Sequence, residues 1–353
     1  MRRVLLLVIP LLLAGCWDEQ NYNSIIHVPM AGISGELGEL TVSFALPAIE
    51  LKSEETRIIT VDGRSFHDAR AAANSITHNQ LDTSMLTALL IDEESAKTNL
   101  YGYLDSFYRD VRNRLGMSVI ITNGPVQPYI EKGSEFSDNI NTFYSDVTKQ
   151  LYENSQLPHM DLQLVCTYLF DEAIDLQLPY MEIGEESEYP AITGIALFDG
   201  NRFTGEIILM KQMVLMQVLK DDLGKQVKDV LMFQDAPMSY EIERAHRKVK
   251  IHANSVDLYY NLEVSILDYY PHRLKKAARR DEVEKTIEAD LEIRAQKLFQ
   301  QMKQANHDGL GIGQYYRAFR PKQYEENEWK EVYQGLTINT HFNVTVRDSG
   351  IID

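Results

Sequence analysis

Disulfides, spanning segments and basic surface are all scarce in this chain. Of 353 residues only two are cysteine, Cys16 and Cys166, so no disulfide framework is available and the fold must be held by packing. The greasy run at residues 4–13 falls well short of the roughly 20 apolar residues that span a bilayer. Lysine and arginine number 35 against 52 aspartates and glutamates, for a net charge of −17. A chain this acidic has no electrostatic footprint for nucleic acid and gains nothing from an anionic lipid surface. Catalytic spacings are missing too. There is no His-Glu-x-x-His, no Gly-x-Ser-x-Gly, no phosphate loop and no Cys/His metal spacing. These gaps assign no catalytic residue, no metal, no cofactor and no ligand-binding residue. Carboxylates are abundant, so a pair suited to glycoside hydrolysis is neither supported nor excluded.

What is present begins at the N-terminus. Arg2 and Arg3 precede the apolar run, which exits through Leu13-Ala14-Gly15-Cys16. A short basic start, a short greasy core and a small-residue exit make an export signal. An exit ending in cysteine is the lipobox of bacterial lipoproteins, whose thiol receives diacylglycerol before cleavage ahead of it. The expected signal is residues 1–15, with Cys16 as the lipidated first residue of the mature chain. Each buried methylene contributes about 0.8 kcal/mol, and two chains suffice for stable anchoring.

Hydrophobic content of 44% and charged content of 25% place the remainder among ordinary folded domains. Its length suggests about two domains, or three small ones. A glutamate-rich stretch at 179–190 without apolar periodicity marks the boundary. It separates an N-terminal α/β region, 16–185, from a C-terminal α+β domain, 190–353.

In the first region, strands are expected at 25–34 and 40–47 around a turn containing Gly35 and Gly38. A helix over 65–79 precedes a buried strand at 85–91, after which Asp92, Glu93 and Glu94 can cap the next helix, and another helix is expected near 100–109. A strand at 117–122 leads to two helices, 135–157 and 159–175, broken at Pro158. In the second region, Asp199-Gly200-Asn201 turns a hairpin, residues 205–224 read as helix, and 241–252 and 256–269 read as strands. The longest helix runs over 280–305 with Val283, Ile287, Leu291, Ala295, Leu298 and Met302 on one face. Gly309 is placed for a left-handed cap at its end. Strict alternation from Leu336 through Phe342 to Val346 predicts a final strand with one buried face. The fold class is therefore α+β (mixed α/β), multi-domain, with mixed sheets packed against helices.

Several local features have a plain and a sharper reading. Cys166 sits on an apolar helical stretch and reads as a small core residue. A reactive thiol would need an electropositive setting, and His159 lies about two helical turns away. Met210, Met213 and Met216 read as core rather than an adaptable groove. Gly309, Gly311 and Gly313 follow a helix, not a strand, and read as a turn rather than a nucleotide loop. His246 and His252 read as surface residues. The basic cluster Arg273, Lys275, Lys276, Arg279 and Arg280 is either a solvated turn paired with nearby acids or a contact for headgroups or an acidic partner.

In order and spacing, a set of residues resembles the C-subunit lipoproteins of spore germinant receptors, the Ger(x)C or GerAC-like family. They are Cys16-Trp17-Asp18 behind the lipobox, then 194–198 with Gly205 downstream, then Asp308, Gly311-Ile312-Gly313, Arg320-Pro321, Trp329, the final strand and 349–352. The resemblance covers nearly all of the mature chain. Two stretches depart from the family pattern: Glu19-Gln20-Asn21-Tyr22 after Trp17-Asp18, and Asn79-Gln80-Leu81-Asp82, which lacks an expected His-Leu. The resemblance implies a mixed α/β fold of three domains. It also implies a non-enzymatic subunit, lipid-anchored on the outer face of the spore inner membrane, assembled with integral-membrane subunits A and B into a nutrient receptor. The alternative is a membrane-anchored solute-binding lipoprotein or envelope hydrolase using the same signal.

Overall fold

The computed structural model describes residues 25–48, 56–136, 140, 142–184, 188–270, 277–326 and 328–348. Cys16 and the signal, together with Arg273, Lys275 and Lys276, lie outside the described residues.

The chain opens with β1 (Ile25–His27) and β2 (Met30–Glu36). One continuous strand was expected there. Pro29 divides it, because proline has no N–H to give to a ladder, and its carbonyl instead accepts from Thr87 N–H at 2.8 Å. The turn at Gly35 and Gly38, both at positive φ, returns the chain as β3 (Glu39–Leu46), and β4 (Arg57–Gly63) pairs beside it. Ser65 caps α1 (Phe66–Asn74), which is shorter than its expected span. After β5 (Gln80–Asp82) and β6 (Ala88–Asp92), the Asp92 side chain accepts from Ser95 N–H at 2.7 Å and starts α2 (Glu93–Arg109), as its charge predicted.

Next come β7 (Ser118–Thr122), α3 (Gln127–Phe136), α4 (Phe143–Glu153) and α5 (Leu162–Leu169). These three short helices replace the two long ones expected. The chain leaves α4 through Asn154 and Ser155, the latter at φ 56°, and restarts under an Asp161 cap that accepts from Leu164 N–H at 3.0 Å.

β8 (Gln177–Ile183), β9 (Pro190–Asp199) and β10 (Arg202–Leu209) complete an eight-stranded sheet in the order β10-β9-β8-β7-β6-β2-β3-β4. Its middle strands, β2, β6, β7 and β8, are parallel, and the outer pairs are antiparallel. Both faces are covered. Ala88, Leu90 and Ile120 point into one core, and Leu89, Ile91, Val119 and Ile121 into the other. A strand buried on both sides shows no alternation, which is why the start of β8 read as aperiodic. The sheet takes strands from both sides of 185–190.

Residues 205–209, expected as helix, extend β10. Gly205, at φ 86°, lies in the register shift between Phe203 and Ile207, so it forms a bulge. Helix α6 (Met210–Lys220) follows, with Met213 and Met216 fully buried in the core. Then come β11 (Lys228–Phe233), β12 (Ala236–Ile251), β13 (Ser255–Tyr269), the long α7 (Ala277–Gln304), α8 (Ile312–Phe319), α9 (Pro321–Glu326), α10 (Trp329–Gly335) and β14 (Thr337–Asp348). The second sheet runs β11-β12-β13-β14, with β14 parallel to β13. The predicted apolar face of α7 is buried from Val283 to Met302, in one core with Leu262, Val264, Phe342, Val344 and Val346. The whole is a mixed α/β fold with several sheets, a long helix in its C-terminal part and a closing strand.

Candidate functional site

Where the end of α7 meets the eight-stranded sheet, a group of polar side chains is buried together. Asp175 precedes β8, Gln177 begins it, and residues 306–308 follow α7. Asp308 is fully buried. Its carboxylate accepts from the backbone N–H groups of Ile312 at 3.0 Å and Gly313 at 2.7 Å, so it caps α8 from below. Burial pushes the Asp308 carboxyl up to about 7, against the pull of those two donors. The backbone N–H of Asp308 donates to the Asp175 carboxylate at 2.6 Å.

Asp175 also accepts from Lys330 Nζ, at 2.7 Å on each oxygen, and from Gly200 N–H at 3.2 Å. Lys330 reaches the Asn306 carbonyl at 2.7 Å and Asp199 at 2.6 Å as well. An ammonium has three protons to give, and these oxygens consume them. Beneath it, His307 Nδ1 lies 2.7 Å from the Phe198 carbonyl and Nε2 lies 3.1 Å from Gln177 Nε2. A carbonyl can only accept, so the proton sits on Nδ1 and Nε2 accepts from Gln177. Burial holds this imidazole neutral, lowered to about 4. Tyr333 closes the group by donating to the His307 carbonyl at 2.8 Å.

Two glycines make room for the arrangement. A Cβ on Gly309 would overlap the Gln177 amide and the His307 ring. The left-handed position after α7 is Asn306, at φ 50°, not Gly309 as the sequence suggested. A Cβ on Gly313 would come within 2.6 Å of the Ala173 carbonyl and of the Trp329 ring. Trp329 packs in turn on Tyr316, Tyr324 and Tyr333. The glycine run at 309–313 is therefore a close-packed turn, as read from sequence.

Two clefts flank this joint and share Tyr168 and Ile174 in their walls. One, of about 640 Å³, is acidic, with Asp171, Glu172, Asp199, Glu325 and Glu328 around Lys330. The other, of about 590 Å³, carries Lys220, Arg247 and His159 among tyrosines, with Asp222. Arg317 forks onto Asp171 in the wall of the acidic cleft, at 2.8 and 3.1 Å.

The residues singled out from sequence are not brought together. Cys166 is buried on α5, and its thiol is pushed up to about 11 by desolvation, the opposite of an activated nucleophile. The His159 ring packs at a tilt on Tyr152, with centroids 5.1 Å apart. His246 and His252 are exposed, and His252 meets Asp257 at 3.0 Å. Arg279 donates to Gln234 at 2.7 Å rather than to an acid of its own helix. Among the described residues no group of three or more His, Cys, Asp or Glu could hold a metal ion, and no helix is long and apolar enough to cross a membrane. Sequence reasoning passed over Asp175, Gln177 and Lys330 altogether. The one signal available was an aspartate set four and five residues before the amides of Ile312 and Gly313, a spacing suited to capping.

Comparison with known proteins bears on both halves. The model described as "Spore germination protein N-terminal domain" matches residues 18–183, and "Spore germination B3/ GerAC like, C-terminal" matches 193–350. The chain is similar to "Spore germination protein GerQC" of Bacillus cereus, at 22% identity covering 100% of this chain and 99% of that protein. It is also similar to "Putative spore germination protein YfkR" of Bacillus subtilis (strain 168), at 19% identity over 99% of this chain and 96% of that protein. Its fold matches a solved structure titled "Crystal Structure of the GerBC protein" with a TM-score of 0.61 over 90% of this chain and 97% of that one, at 11% identity. Two germination-protein models thus account for nearly the whole chain, and the chain belongs to the GerAC-like spore germination proteins.

Proposed function

We propose that this protein is the lipid-anchored C subunit of a nutrient germinant receptor in bacterial endospores. It sits on the outer face of the spore inner membrane through diacylglycerol on Cys16, and supports germination by contact with the integral-membrane subunits A and B rather than by catalysis. The observation that carries this reading is the match of both germination domains, from residue 18 to residue 350, directly behind Leu13-Ala14-Gly15-Cys16. The chemistry of the joint agrees with it. Lys330, Asp175, Asp308 and His307 spend their hydrogen bonds on one another and on backbone, which suits rigid coupling of two sheets rather than turnover. The alternative, a solute-binding lipoprotein of two doubly wound lobes, fits the architecture poorly, since the second sheet is a four-stranded layer under one long helix.

The test is made in spores. Cys16→Ala should remove the chain from the inner-membrane fraction and abolish the nutrient response, and intact mass should show diacylglycerol on the unaltered protein. Chemical cross-linking of the native spore membrane should join this chain to two integral-membrane proteins. A chain that cross-links to none, while Cys16→Ala spores still germinate on nutrients, would overturn the reading.

A further inference from the structure

The 590 Å³ cleft is lined by a buried cation, Lys220, whose ammonium has no hydrogen-bond partner among the described residues. Lys220 is the last residue of α6, and its Nζ is enclosed by protein with no hydrogen-bond partner. The ammonium faces the Tyr168 ring, 5.3 Å from its centroid. Leaving an ammonium enclosed and unpaired costs several kcal/mol, and a cation–π contact returns only about 2 of them. Desolvation lowers Lys220 to about 8, so it is still protonated at neutral pH.

Arg247, on β12, stands beside it and is fixed in place. One of its Nη groups donates to the Leu219 carbonyl at 2.8 Å and the other to Tyr315 Oη at 2.6 Å, with the guanidinium over the Tyr315 ring. A guanidinium has five N–H donors, so donors remain beyond these two bonds. Asp222 is the acid among the cleft's lining. Two cations against one carboxylate leave a single positive charge in a chain whose total is −17. That balance suits a monoanion, whereas a phosphate dianion would meet Asp222. The size falls within the roughly 300–1,000 Å³ of small-molecule sites.

We propose that this cleft binds a small organic carboxylate, with its oxygens on Lys220 Nζ and the remaining N–H groups of Arg247 and its apolar body against Tyr168 and Tyr315. The inference does not depend on the receptor reading, since an anion site could serve any envelope protein with this cleft.

The experiment uses the full chain in nonionic detergent at matched ionic strength. The probes are phenylacetate, its neutral isostere phenylacetamide, and inorganic phosphate. Calorimetric titration should show phenylacetate binding, with phenylacetamide weaker by about tenfold or more, the worth of one charge-assisted contact. Phenylacetate should also slow acylation of Lys220 by acetic anhydride, read by peptide mass. Lys220→Met, which keeps the stem and removes the charge, should lose phenylacetate binding. If that variant does not fold, protection of Lys220 in the unaltered chain decides the matter. Equal binding of the acid and the amide, undiminished binding by folded Lys220→Met, or protection by phosphate but not phenylacetate would each overturn the proposal. None of these outcomes touches membrane location or cross-linking, so the two readings fail separately.

Discussion

Asp175 and Asp308, 133 positions apart in the chain, hold each other through two hydrogen bonds. The Asp308 N–H donates to the Asp175 carboxylate at 2.6 Å, and the Asp175 N–H returns to the Asp308 carbonyl at 3.0 Å. This pair joins the segment leading into the eight-stranded sheet to the turn after the long helix. It adds a polar tie between two parts of the chain that the shared sheet and core already hold together.

Removing Asp175 should therefore be expensive. Asp175→Ala strands the Asp308 and Gly200 amides and takes the buried partner from Lys330. A loss of about 3–5 kcal/mol is expected, as for other broken buried pairs. Lys330→Met on its own should also destabilise. The double variant should lose less than the sum, by about 1 kcal/mol or more, since both report one interaction. Urea unfolding of the four proteins measures the cycle, and strict additivity would show that the contact carries no energy.

Gly313 sets a steric test. Its missing Cβ is the space taken by Trp329 and the Ala173 carbonyl. Gly313→Ala should cost about 1–3 kcal/mol by overpacking and shift the emission of Trp329. Gly335, which closes α10 with open space around its Cα, supplies the control. Gly335→Ala should leave the melting temperature unchanged or slightly raised.

His307 predicts a pH dependence with a definite sign. Its folded value, about 4, lies below the ordinary 6.5 because burial opposes the charge. Between those values the unfolded chain binds the proton and the folded chain does not, so the His307 contribution is intact above pH 6.5 and is lost as pH drops towards 4. The full effect is on the order of 3 kcal/mol. His307→Gln cannot take up that proton, so its melting temperature should decline less than that of the parent from pH 7 to 4.5. Asp308, raised to about 7, contributes the opposite slope, gaining stability as pH falls, but does so in both proteins, so the His307 term is read from the difference between the two curves. Parallel curves would place the acid sensitivity elsewhere.

The free edge of β14 is guarded by the long helix. Glu288 accepts from Val344 N–H at 2.9 Å and Glu284 from Val346 N–H at 2.8 Å, so two edge amides are already occupied. An uncovered edge strand is a template for pairing with another chain. Glu284→Ala combined with Glu288→Ala should lose about 1–2 kcal/mol and raise light scattering on incubation at elevated concentration. Unchanged scattering would mean the edge is protected by its charge and twist alone.

Elements whose pattern is local could be read in advance. The face from Val283 to Met302, the alternation ending at Val346, the Asp199-Gly200-Asn201 hairpin and the Asp92 cap each declare themselves within one or two turns of chain. So did Cys166, Met213 and Met216 as core, while Met210 is only partly buried against it. Strands β4 and β11 escaped notice because they lie at sheet edges with weakly graded burial, and β8 because both its faces are covered. Gly205 looked like the start of a helix and is a bulge, since only pairing with β9 shows where the extra residue falls.

The sequence alone determined the acidic character, the mixed α/β class and the family through motifs in a set order. Each of these is written in composition or in residues near one another. Tertiary structure alone decided that Asp175 meets Asp308, that Lys330 is consumed by oxygens from three separate segments, and that Lys220 and Arg247 face one cleft. Such contacts join residues far apart in the chain. A carboxylate or an ammonium reads the same in sequence whether water or a buried partner surrounds it, and only the fold settles which.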